Sequence, residues 1–153
     1  MTLLKLSCGA MLVAITTLSA AAQSVPAGWK IVKDRKQHCQ IAVPADWTTD
    51  KILTSQATAP DKSASALVHG IPPGAATYAD TVKAAKGLYK PIKTFEESGS
   101  RTWYSTAPDP GQTGTSWYVA TGGAQVCDAQ ILFKTPASEA TAKQIVMSLT
   151  PVK

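Results

Sequence analysis

Histidine and cysteine are scarce in this chain of 153 residues: there are two histidines, His38 and His69, and three cysteines, Cys8, Cys39 and Cys127. That scarcity restricts the chemistry. His38 and Cys39 are sequence neighbours, so on a strand they point to opposite faces and cannot share a metal ion. No C-x-x-C redox pair, no G-x-x-x-x-G-K-[ST] phosphate loop and no G-x-S-x-G nucleophile elbow occurs. Glu96 and Glu97 are adjacent in a strand candidate, so their carboxylates diverge and do not form a glycosidase pair. Long apolar runs are lacking too. Met11 to Leu18 (MLVAITTL) falls well short of the roughly 20 apolar residues of a membrane-spanning helix, and no later segment comes closer. There is no repeat, no low-complexity tract and no long linker. The expectation is a protein that does not span a membrane and needs no cofactor.

What is present at the N-terminus reads as an address. Lys5, the apolar run and Ser19-Ala20-Ala21-Ala22 have the order of a secretory signal peptide cleaved before Gln23, leaving residues 23–153 as one domain. Cys8 precedes the apolar run, where it is badly placed for lipid attachment, and departs with the signal. Cys39 and Cys127 remain, an even pair in an exported chain, and are expected to form a disulfide in the periplasm or outside the cell. A catalytic Cys39 thiol with His69 as its base would need a reduced, accessible sulfur, whereas the alternation of Cys39, Ile41 and Val43 puts it on an apolar strand face. The net charge of +5 falls to +4 without Lys5. Export and scattered charge argue against nucleic acid as ligand. The one basic cluster, Lys30 to Lys36, reads as a solvated turn.

Period and punctuation then give the elements. Gly28 to Val32 and Gln37 to Val43 read as strands, the second stopped by Pro44. Lys51 to Ala59 and Ser63 to Gly70 read as two strands around Pro60-Asp61-Lys62, with Ile71-Pro72-Pro73-Gly74 as a stop. The period then changes: Thr77 with Asp80 forms a capping-box candidate, and Tyr78, Val82, Ala85 and Tyr89 fall at helical spacing before Pro91. Pro91 to Glu97, Arg101 to Thr106, Thr115 to Thr121 and Ala124 to Lys134 are strands, the last with Cys127, Ala129, Ile131 and Phe133 on one face. Pro136 and Ser138 open a helix that buries Ala142, Ile145, Val146 and Leu149 and is closed by Pro151. Short, turn-like connections make the sheet antiparallel, and the expected fold is α+β: a central antiparallel sheet with helices packed on it as an α-β-α sandwich.

Two aromatic strands stand out. With Pro110-Gly111 as the hairpin centre, Trp103 falls opposite Tyr118 and Tyr104 opposite Trp117, one Trp/Tyr pair on each face. Where helices cover both faces, both pairs are core. Where one face is open, these four residues form a candidate binding patch edged by Ala107 to Gly114.

The early strand ending in "VPADW", the helix after the Pro/Gly break, the paired aromatic strands and the closing "AKQIVMSLTPVK" resemble the PsbP-like superfamily, named for the extrinsic photosystem subunit. The resemblance implies a central antiparallel sheet between helices and a role in binding or assembly rather than catalysis. The metal and photosystem contacts of the photosynthetic members match no residues here. The expectation is an exported, non-enzymatic binding or assembly module whose partner is a cell-envelope protein, glycan or peptide. Two alternatives are a secreted hydrolase with a site near His69 and an inhibitor or immunity-type protein inserting the Ala107 to Gly114 loop into an enzyme cleft.

Overall fold

The computed structural model describes residues 25–153. The expected signal peptide and its cleavage site lie outside the described residues. Among the described residues the chain is a mixed α+β domain of two sheets and two helices.

The first hairpin is built by β1 (Trp29–Lys33) and β2 (Cys39–Pro44), which pair antiparallel with Trp29 opposite Pro44 and Lys33 opposite Gln40. Asp34 shapes the turn between them. Its buried carboxylate accepts the Cys39 amide through Oδ1 at 2.6 Å and the Lys36 amide through Oδ2 at 2.9 Å, so two backbone donors are satisfied in a tight space. These strands do not join the main sheet. They form a separate three-stranded sheet with β10 (Thr150–Pro151), a short strand at the other edge of β2. Pro151 therefore does not merely end a helix. Its missing donor is tolerated because it sits on an edge strand of two residues.

The large sheet has the order β3 (Thr48–Thr49), β4 (Gln56–Thr58), β5 (Ala64–Gly70), β9 (Cys127–Phe133), β8 (Thr115–Thr121), β7 (Arg101–Thr106), β6 (Lys93–Glu97), antiparallel throughout. The expected Lys51–Ala59 strand is shorter than its pattern suggests. The Asp50 carboxylate draws the Ile52 and Leu53 amides into a turn at 2.7 and 2.6 Å, so pairing resumes only at Gln56. Helix α1 (Tyr78–Leu88) starts at the expected capping box, with Thr77 accepting from the Asp80 amide and the Asp80 carboxylate accepting from the Thr77 amide. Helix α2 (Pro136–Ser148) is capped by Thr135 and buries Ala142, Ile145 and Val146, with Leu149 just past its end.

The sheet register assigns each side chain to a face. One face carries Trp103, Trp117, Val119, Ala129, Ile131 and Val68, and it packs against α2 and the small sheet as the main core. The opposite face carries Tyr104, Tyr118 and Ala120, covered by Val82 and Ala85 of α1. The disulfide Cys39–Cys127 spans 88 residues, with Cα atoms 5.6 Å apart, and joins β2 of the small sheet to β9 of the large one. Beside it, Gly70 lies against the β1–β2 turn. A Cβ there would stand 2.5 Å from the Cβ of His38 and 3.0 Å from Oδ1 of Asp34, so only glycine permits this approach.

Candidate functional site

The aromatic hairpin differs from its expected register. Tyr104 pairs with Tyr118, while Trp103 lies opposite Val119 and Trp117 opposite Ser105. The reason is the loop. The ladder closes at Thr106 opposite Ser116, so the symmetry centre is Gly111 itself, which adopts φ +84°, rather than the Pro110–Gly111 bond. Half a residue at the centre shifts every pairing by one and sorts the rings by type, tyrosines on the α1 face and tryptophans on the α2 face.

All four side chains are buried, from Tyr104 at 0% exposure to Trp103 at 9%. The tryptophans meet edge to face at 5.1 Å, Phe133 packs edge-on against Trp117 at 4.5 Å, and Phe95 covers Trp103 at 4.7 Å. Trp103, Tyr104, Trp117 and Tyr118 thus form packed core on both faces and no open patch. The Ala107 to Gly114 loop is largely exposed and is tied internally by the Gln112 amide donating to the Asp109 carbonyl.

His69 comes closest to an organised polar centre. Alternation along β5 turns it away from the main core, and the register sets it directly opposite Asp128 of β9. Nδ1 lies 3.3 Å from Oδ1 of Asp128, whose other oxygen accepts the Tyr118 hydroxyl at 3.0 Å. The neighbouring Asp128 carboxylate raises the pKa of the half-exposed imidazole above its usual value, opposed by partial burial and reinforced by the charge of Asp34. Burial, then the Asp128 charge, pushes the Tyr118 phenol far above the usual phenol range. The pair borders a cleft of about 430 Å³ against α1, walled by Ala84, Leu88 and Tyr89. Thr81 supplies an aliphatic hydroxyl to that cleft, but it donates to the Thr77 carbonyl at 2.9 Å within the helix. The imidazole and the carboxylate face each other, and the Thr81 hydroxyl is engaged within the helix rather than presented as a nucleophile.

A larger groove lies on the other side of the molecule. About 510 Å³ of space is enclosed between the outer face of the small sheet and one flank of α2. Ile31 and Ala42, paired across β1 and β2, form its floor, and Val25 and Pro26 close one side. The α2 wall is Ala140, Lys143, Gln144 and Met147, the i, i+3, i+4, i+7 flank left outside the buried stripe. Three apolar side chains stand partly open to solvent there: Val25 at 42%, Ile31 at 37% and Met147 at 41%. The Ser148 hydroxyl fixes helix to sheet, accepting from the Ala42 amide at 2.8 Å and donating to the Ile145 carbonyl at 2.7 Å. Pattern reading gives the buried stripe of α2 and the strand Gly28 to Val32, and neither the outer helix flank nor the outer strand face. Only the small sheet brings them together.

No protein-family model matches this chain, and no curated protein matches it. Among solved structures, the chain is similar to the solution structure of cyanobacterial PsbP (CyanoP) from Synechocystis sp. PCC 6803, with a TM-score of 0.43 and 12% identity over 88% of this chain and 98% of that one. This is the family that the sequence resembles, and the likeness assigns no residue a role.

Proposed function

We propose that this protein is an exported, non-enzymatic binding module of the cell envelope, and that it binds through the groove between α2 and the small sheet. The observation that carries the reading is the groove itself: a concavity with an apolar floor and walls that mix apolar with polar side chains, with Ile31, Met147 and Val25 partly solvent-exposed although the main core is closed. Ligand sites have this character, apolar walls with a few polar groups to orient what enters. Export is supported by the signal-like N-terminus together with the Cys39–Cys127 disulfide. Among the described residues the lining contains no aromatic ring, which favours a ligand with an aliphatic portion over a glycan, whose sugar rings stack on aromatic faces.

The uncharged fluorophore N-phenyl-1-naphthylamine tests the site. Its emission is expected to rise on addition to the intact protein and to fail to rise with Met147→Asp, whose charge lies on an exposed helix flank and leaves the circular dichroism unchanged. Leu88→Asp, on the rim of the α1 cleft, is expected to behave as wild type. Undiminished binding by Met147→Asp, or loss in Leu88→Asp, would overturn the assignment.

A further inference from the structure

We propose that the groove holds the single hydrocarbon chain of an anionic amphiphile, with the anionic headgroup at Lys143. This rests on the groove being the binding site and names what enters it. The α2 wall from Ala140 to Met147 is linear, about 10 Å of helix at 1.5 Å per residue, and runs beside an apolar floor of Ile31 and Ala42. A groove with helix on one side and sheet beneath suits an extended chain.

The charge within the lining is positive, while Glu139 lies one turn before Lys143 on α2 and Arg101, paired with Glu96, reaches Met147 from outside. Among the described residues Lys143 is the charged residue of the lining, and none of them puts a carboxylate there. Lys33 is exposed on the same face of β1 as Ile31, two residues along and opposite Gln40, which is itself part of the lining. An ammonium at the wall and another beyond the floor offer a negative headgroup two attractions, and a positive headgroup would meet two repulsions. Gln40, Gln144 and Thr150 add hydrogen-bonding groups that a carboxylate, sulfate or phosphate oxygen can use. The α1 cleft has the opposite character: Asp80 and Asp128 line it, and the imidazole there is already paired.

Displacement of N-phenyl-1-naphthylamine by three amphiphiles of equal chain length, each below its micellar concentration, tests the headgroup. Dodecanoate is expected to displace the dye at the lowest concentration, dodecanol to need more, and dodecylammonium to need most. Exposed ion pairs are individually weak, so Lys143→Glu, which replaces attraction by repulsion, is expected to weaken dodecanoate by about tenfold. The same variant should strengthen dodecylammonium, each displacement being referred to the dye affinity measured for that variant. Equal displacement by all three, or a dodecanoate affinity indifferent to Lys143→Glu, would overturn the anionic-headgroup proposal while leaving the groove as a binding site. Failure of the dye to bind the wild-type protein at all would overturn both.

Discussion

Removing the Cys39–Cys127 bridge tests the way the two sheets are joined. The double variant Cys39→Ala/Cys127→Ala suits the purpose better than a single substitution, because both side chains are fully buried and one remaining thiol would add its own effect. The bridge closes a loop of 88 residues. In the chain-entropy description, releasing a loop of that length gives the unfolded chain freedom corresponding to about 4.6 kcal/mol at 25 °C. Domains of this size are commonly stable by about 5 to 15 kcal/mol, so the loss is a large share of the total. For roughly 130 ordered residues it corresponds to a fall in Tm of about 15 to 20 °C. Urea unfolding followed by tryptophan fluorescence measures it, since Trp103 and Trp117 lie in the core on which the small sheet packs. The midpoint should fall with the slope little changed. A loss below about 1 kcal/mol would refute the reasoning, because the bridge would then close no loop that the rest of the fold leaves free. Thiol labelling of the unreduced wild-type protein should find neither Cys39 nor Cys127 reactive after unfolding.

Two further outcomes follow from the same region and from the face behind it. Gly70→Ala should destabilise by about 1 to 3 kcal/mol, as overpacking does, because its Cβ would collide with His38 and Asp34; an unfolding midpoint equal to wild type would show that the β1–β2 turn can move away. His69 has a folded-state pKa above its usual value, so its pairing with Asp128 contributes stability fully below about pH 6.5 and loses it as the pH rises through the raised folded value. Urea midpoints for wild type should therefore decline across that window, and those for His69→Gln should not show that component. A proton-NMR titration of His69 centred at or below the ordinary imidazole value, or unmoved by Asp128→Asn, would contradict this.

The strands and helices were legible where one local rule acted alone. The alternation of Cys39, Ile41 and Val43, and of Cys127, Ala129, Ile131 and Phe133, marks inward faces that the structure buries. The Thr77 and Asp80 spacing marks the start of α1 for a purely local reason, since both partners of the capping box lie within one turn. Legibility failed where a result depended on how elements meet. The hairpin register turned on half a residue at Gly111, and the partition of strands into two sheets turned on α2 returning Thr150 and Pro151 to β2. The pairing of His69 with Asp128 lies between these cases. Each strand's alternation turns the residue outward, to the face opposite the cysteine, but their contact requires β5 and β9 to be neighbours, and 58 residues of intervening chain conceal that.

The groove was the least legible feature, for a physical reason. Ala140, Lys143, Gln144 and Met147 satisfy every local rule for a solvated helix flank, and Ile31 on an edge strand is one of the single exposed apolar residues that any soluble surface carries. None of them is strained, unpaired or buried, so none signals a role by itself. Their meaning comes from position, which is set elsewhere: Ser148 holds the end of α2 to Ala42, β10 pairs onto β2, and the disulfide fixes β2 to β9. The residues with the most structural demands on them are therefore those that hold the two sheets together, while Ile31, Ala140, Lys143, Gln144 and Met147, with which a ligand would make contact, carry none of these joints. The same separation explains why the aromatic hairpin attracted attention and the groove did not. Large rings at regular spacing announce packing energy, and in this fold that energy goes into the core, whose rigidity keeps an otherwise unexceptional surface concave.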